Sequence, residues 1–156
     1  MDELLKVISV GSKFEMKFSE ELIAPCGMNC GICKAYLAYS RDAARVRSKT
    51  VHCMGCRPRN KMCFYVRKHC AKIRTNKIKF CFECEGFPCG RIKTLDKRYR
   101  TRYGMSMVEN LKEIKEKGME KFLKKEEEKY KCPECGDVVS VHNGMCYSCG
   151  FTRTDA

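Results

Sequence analysis

Fourteen cysteines in 156 residues constrain this chain more than any apolar pattern it carries. The first group is Ala24-Pro25-Cys26-Gly27-Met28-Asn29-Cys30-Gly31-Ile32-Cys33, three thiols in C-x3-C-x2-C spacing. Glycine follows Cys26 and Cys30, where a backbone curling around a metal needs freedom in φ. C-x2-C pairs recur at Cys53/Cys56, Cys81/Cys84, Cys132/Cys135 and Cys146/Cys149, with Cys63, Cys70 and Cys89 between them. Cysteine at about 9% of a chain signals either a disulfide scaffold or metal sites. Metal–thiolate bonds, more than a large apolar core, are therefore expected to hold this fold together.

Compartment separates the two readings. The N-terminus, Met1-Asp2-Glu3-Leu4-Leu5-Lys6, carries acids early and lacks the apolar core and small-residue cleavage site of a signal peptide. No run approaches the roughly 18 apolar residues of a membrane span. The expectation is a cytoplasmic protein with reduced thiols and no membrane partner. Recurrent C-x2-C pairs in that setting favour metal over the alternative, an intracellular disulfide framework.

The formal net charge of +13 is unevenly placed. Residues 41–102 hold 19 basic and 4 acidic side chains, whereas both flanks are close to neutral. Bound metal takes thiolates, and a divalent ion with four of them carries −2, so three such sites would lower the net charge to about +7. Part of the basic excess can thus neutralise metal sites, and only the remainder argues for a polyanionic partner.

Periodicity predicts an α-rich architecture. Residues 2–10 suit a short helix, and Lys13 to Phe18 alternates like a strand. Lys34 to about Arg47 reads as a helix rising from the first thiol cluster, Cys63 to about Ile73 as a second, and Pro88 to Tyr103 as a third. In the third, Ile92, Leu95 and Tyr99 face inward, while Arg91, Lys93, Lys97, Arg98, Arg100 and Arg102 face outward. Ser106-Met107-Val108-Glu109 matches a capping box for a helix ending near Gly118. A short helix continues from Met119 to about Lys129, and the run Lys124 to Lys131 reads as a solvated helix end and linker. Two units follow: a small metal-stapled domain over residues 1–129 and a zinc ribbon over 130–156. The ribbon expectation rests on C-x2-C-x10-C-x2-C, a strand at Val138-Val139-Ser140-Val141 and a hairpin turn at Asn143-Gly144.

Two resemblances attach to the opening motif. The spacing of Cys26, Cys30 and Cys33 resembles the cluster motif of radical SAM enzymes, but the chain has neither the length nor the strand–helix alternation for their partial βα barrel. More broadly, Cys26 to Cys33, Cys53 to Cys56, Cys63 with Cys70, and Cys81 to Cys89 resemble a family of small cysteine-rich prokaryotic proteins known as a domain of unknown function. Its pattern looks like CG-x2-CG-x-C, C-x-GC and C-x-EC-x3-PC, and the resemblance covers residues 24 to about 100. It implies metal binding in a prokaryotic cytoplasm and supplies no activity.

Cys132, Cys135, Cys146 and Cys149 are the ligands expected of the ribbon. Among the other ten, one partition places Cys53, Cys56, Cys63 and Cys70 in one site and Cys30, Cys33, Cys81 and Cys84 in another, with Cys26 and Cys89 nearby. Structural zinc, three ions in all, is favoured because small domains need such staples. A 4Fe–4S cluster in the 26–89 region, in a redox or cluster-carrying protein, is the alternative. No phosphate loop, G-x-S-x-G or H-E-x-x-H motif is present; His52, His69 and His142 read as supporting or surface residues, with His52 or His69 an alternative ligand and a leftover Cys26 or Cys89 an alternative nucleophile, and no catalytic residue is assigned. The basic segment 41–102, interleaved with aromatics, points to RNA or DNA. The ribbon is a candidate contact for another protein, which would make the molecule an adaptor.

Overall fold

The computed structural model describes residues 17–41, 52–59 and 69–154. The expected helix at 2–10 and most of the expected strand at 13–18 lie outside these residues, as does Cys63. Lys17 and Phe18, the last two residues of that strand, are not in one.

Among the described residues the fold is helical. It comprises α1 (Lys34–Ser40), α2 (Cys56–Arg59), α3 (Ala71–Arg74), α4 (Gly90–Tyr103), α5 (Met107–Lys117) and α6 (Met119–Lys129), with 3-10 turns at Glu20–Leu22, Cys30–Ile32 and Cys81–Glu83. α4 begins at Gly90, two residues later than expected, because Cys89 is extended and serves as its N-cap. Residues 42–47 of the expected helix from Lys34 and 63–68 of the one from Cys63 also lie outside the described residues, and the extended Cys70 caps α3.

α4, α5 and α6 pack in succession. The turn between α4 and α5 is set by side chains: Ser106 Oγ accepts from Glu109 N at 3.0 Å, which is half of the expected capping box. The same hydroxyl donates to Asp96 Oδ1 at 2.6 Å, and Val108 N donates to that oxygen at 3.0 Å. Asp96, buried in α4, thus ties one helix to the start of the next and also pairs with Arg100 Nε at 2.8 Å.

The main core joins Phe18, Ile23, Ile32 and Leu37 to Ile92, Leu111, Ile114 and Phe122, and reaches Tyr130 and Val138. The charged run at the end of α6 is only partly solvated. Glu126 is buried, and its Oε2 accepts from the buried Asn29 Nδ2 at 3.3 Å. Burial raises the Glu126 carboxyl above its usual range, opposed by that amide. Asn29 Oδ1 in turn accepts from Gly31 N at 2.8 Å, so α6 supports the loop that carries the first three cysteines.

The C-terminal segment is built from turns and isolated bridges. Lys131 pairs with Val138, Val139 with Cys146, and Met145 with Thr152, all antiparallel. No strand forms among the described residues, so the expected strand at Val138–Val141 is reduced to single bridges. Ser140 N donates to Met145 O at 3.0 Å, which closes the intervening turn with Gly144 at φ +66°.

Candidate metal centre

The four cysteines at the C-terminus converge. The Sγ atoms of Cys132, Cys135, Cys146 and Cys149 all lie within 4.8 Å of one another, and this group could hold a metal ion. Cys132 Sγ and Cys149 Sγ are 3.7 Å apart, and Cys135 Sγ and Cys146 Sγ 3.5 Å. Neither separation is a disulfide. Both are close to the edge of a thiolate tetrahedron, about 3.8 Å for metal–sulfur bonds of about 2.3 Å.

Local backbone explains the convergence. Cys132 accepts from the N–H groups of Glu134 and Cys135, and Cys146 from those of Ser148 and Cys149. Cys149 accepts from Phe151 N–H. Each pair is followed by a glycine in the left-handed region, Gly136 at φ +80° and Gly150 at φ +81°, which turns the chain back over the sulfurs. Cys132 and Cys146 are buried with Val139, whereas Cys135 and Cys149 are exposed. As free thiols, Cys132 and Cys149 shift in opposite directions. Burial raises Cys132, but the amides of Cys135 and Glu134 and the Cys149 thiol outweigh it and bring it to about 7. Cys149 goes the other way: Phe151 N–H lowers it, but burial and its three sulfur neighbours push it up to about 12.

Charged and ring contacts fix this module to the rest of the fold. Arg41 forks onto Asp137, Nε to Oδ2 at 3.1 Å and Nη2 to Oδ1 at 2.6 Å, and Lys17 donates to Gly136 O. Burial would raise the Asp137 carboxyl, but Arg41 and Ser148 hold it down at about 2. Val141 N donates to Ile32 O at 3.0 Å. His142 is clamped between elements: Nδ1 accepts from Lys34 N at 3.3 Å, which leaves the proton on Nε2, 3.1 Å from the Tyr99 hydroxyl. Burial and Lys34 lower its pKa to about 4, so the ring is neutral and has no nitrogen spare for acid–base work.

Among the first cysteines, Cys30 and Cys56, which the expected partition assigned to different sites, are in contact. Cys56 N donates to Cys30 Sγ at 3.3 Å, and the two thiols are also hydrogen-bonded. That thiol contact and the Cys56 amide, with Arg57 nearby, lower Cys30 against the effect of burial. Cys33 is raised by burial and by the neighbouring charges of Cys30 and Cys53, although the N–H groups of Tyr36 and Ala35 bond to it. Gly55 N donates to Cys53 Sγ at 3.4 Å. Elsewhere, Cys26 and Cys81 are buried, Cys70 and Cys84 are half-buried, and Cys89 is exposed. Cys84 Sγ accepts from Lys72 Nζ at 3.5 Å. Gly31, expected to serve φ, instead serves packing: a Cβ there would lie 2.4 Å from Phe18 Cδ1.

The basic face of α4 is as expected. Arg91, Lys93, Lys97, Arg98, Arg100 and Arg102 are exposed, Ile92 is buried, and Leu95 and Tyr99 are half-buried. Beyond its C-terminus lies a cleft of about 540 Å³ lined by Arg102, Tyr103, Lys129, Tyr130, His142 and Arg153 among others. Sequence reading missed this cleft because its residues come from four separate stretches. No described helix is long and apolar enough to cross a membrane.

No curated protein and no solved structure matches the chain. Residues 22–94, from the first 3-10 turn into α4, match the model of a family described as a protein of unknown function (DUF3795), and over that span the chain is similar to that family.

Proposed function

We propose that this is a cytoplasmic, metal-stapled protein that binds single-stranded RNA or DNA. In this reading Cys132, Cys135, Cys146 and Cys149 hold zinc in a minimal ribbon, and the outer face of α4 lies along the phosphate backbone. One observation carries it: six Arg and Lys side chains are exposed along a 14-residue helix whose apolar side is packed. The cleft at the end of that helix extends the surface, bringing Arg102, Lys129 and Arg153 beside Tyr103. Cations along a strand and an aromatic near its end are what single-strand recognition uses. Zinc suits the ribbon because its sulfurs already approximate a tetrahedron and its knuckles carry N–H···S bonds.

The test is binding of a single-stranded RNA oligomer to the full chain across a salt series. The expected result is an affinity that falls steeply with salt. Replacing Lys93, Lys97 and Arg98 with Ala should remove three phosphate contacts and flatten the log–log slope by about 2, at about 0.7 per contact for single strands. No binding of RNA or DNA at low salt would reject the nucleic-acid reading and leave a protein adaptor. Iron and visible absorption after anaerobic purification would replace zinc with a cluster.

A further inference from the structure

We infer that Cys30, Cys33, Cys53 and Cys56 bind a second ion of a soft divalent metal of the zinc class, as two interlocked C-x2-C knuckles. This goes beyond the nucleic-acid reading and stands or falls independently of it.

Three observations support the grouping. First, the two pairs touch: Cys56 donates to Cys30 Sγ through its N–H at 3.3 Å and also shares a thiol hydrogen bond with it. Cys53 N donates to Ala35 O at 3.0 Å, which holds the second pair against the start of α1, just after Cys33. Second, the sulfurs are wrapped as those of the ribbon are. Cys33 accepts from the N–H groups two and three residues ahead, Ala35 and Tyr36, the same offsets seen at Cys132 and Cys146. Cys53 accepts from the N–H two residues ahead, Gly55, the offset seen at Cys149. Amide donors on sulfur stabilise thiolate over thiol, which is the form a metal takes. Third, the surroundings suit a buried anionic centre. Cys30 and Cys53 are buried, and Cys33 and Cys56 are half-buried. The Arg57 guanidinium lies within electrostatic reach of Cys30, held by Nε to Ile23 O at 2.6 Å and by its stack on Phe80 at 4.7 Å. His52, one residue before Cys53, has a buried Nε2 with no hydrogen-bond partner among the described residues.

These sulfurs are less gathered than the ribbon quartet, the one group within 4.8 Å among the described residues. Binding would draw them together. Each ion would displace up to four thiol protons to solvent, leaving four metal–sulfur bonds and a net charge of −2 that Arg57 partly offsets. Zinc needs no oxidant or reductant for this step.

Native mass spectrometry of the zinc-loaded full chain counts the ions. Cys30→Ser/Cys33→Ser should hold one ion fewer than wild type, and Cys53→Ser/Cys56→Ser likewise. The quadruple variant should also lose one ion, because both pairs serve the same site. Loss of two ions in the quadruple variant, or none in either double variant, would overturn the assignment. A second measurement needs no variant: iodoacetamide labelling of wild type with and without zinc. Cys33 and Cys56 should be protected at least tenfold by zinc, alongside the exposed ribbon ligands Cys135 and Cys149, while exposed Cys89 should react freely in both states. Equal labelling of Cys33 and Cys56 with and without zinc would also overturn it.

Discussion

Lowering the pH from 7 to 5 should cost this fold about 1–2 kcal/mol through His142 alone. Its ring packs edge-on against Tyr99 and Tyr103, with centroids 5.8 and 4.9 Å away, and both nitrogens are engaged, Nδ1 by Lys34 N and Nε2 by the Tyr99 hydroxyl. Burial first and Lys34 second bring the pKa from 6.5 to about 4. The cleft beside it adds Arg102, Lys129 and Arg153, and no carboxylate lines that cleft to favour an imidazolium. The sign follows from proton counting. Below pH 6.5 the unfolded chain takes a proton that the folded chain refuses until about pH 4. Stability is therefore flat above 6.5 and falls between 6.5 and 4. With those two values, linkage gives about 2 kcal/mol at pH 5. The ring is half-buried, and solvent screening trims this to about 1–2 kcal/mol. The assay is urea unfolding of zinc-loaded wild type and His142→Gln at pH 7, 6 and 5. Acid also loosens metal–thiolate bonds, but equally in both proteins, so the difference between them isolates the ring. Wild type should be the more stable at pH 7, and its advantage should shrink by about 1–2 kcal/mol at pH 5. A constant or growing advantage would refute the argument.

Two packing predictions accompany it. Asp96→Ala removes the acceptor shared by Ser106 Oγ and Val108 N and the partner of Arg100, and should destabilise by about 2–4 kcal/mol in denaturant titration. Asp96→Asn keeps Oδ1 and should cost less than half as much. Gly31→Ala places a Cβ 2.4 and 2.6 Å from two Phe18 ring carbons and 2.9 Å from Asn29 Oδ1, so a loss of about 1–3 kcal/mol is expected. An unchanged unfolding midpoint would show that Phe18 yields freely.

Local signals were legible in the sequence, and cross-chain ones were not. The inner and outer faces of α4 follow from 3.6-residue spacing alone, and Ser106 announced its own helix. The charged end of α6 misleads because its charge hides its period. Phe122, Glu126 and Tyr130 recur every four residues and all are buried, so the buried stripe was present with a carboxylate in its middle. Its partner, Asn29, lies 97 residues away, and no local pattern names it. The ribbon strands failed for a different reason. Each sulfur-wrapping turn consumes the residues after its cysteine pair, which leaves Val138 and Val139 room for single bridges only. The thiol partition is not legible in sequence because C-x2-C spacing shows that a knuckle forms without showing which other knuckle it meets. The contact of Cys30 with Cys56 depends on how the 3-10 turn Cys30–Ile32 meets the start of α2.

The cysteine loop, the C-terminal quartet and the basic helix are mechanically one arrangement. Ile32, inside the first C-x2-C pair, accepts from Val141 N, and Lys34, just after it, donates to His142. Arg41, following α1, grips Asp137 two residues beyond Cys135. His142 then reaches α4 through Tyr99 and Tyr103, whose helix carries the exposed cations. A metal that closes the quartet would restrain Asp137 and His142 through the short turns that bear them, and through them α1 and the C-terminal end of α4. Stripping that metal should therefore disturb the cationic surface at Arg100 and Arg102 before it disturbs Arg91 and Lys93, which lie nearer the N-terminal end of the same helix. The order follows from where the contacts fall on α4. It distinguishes a cysteine quartet that organises the cationic helix from one that merely hangs beside it.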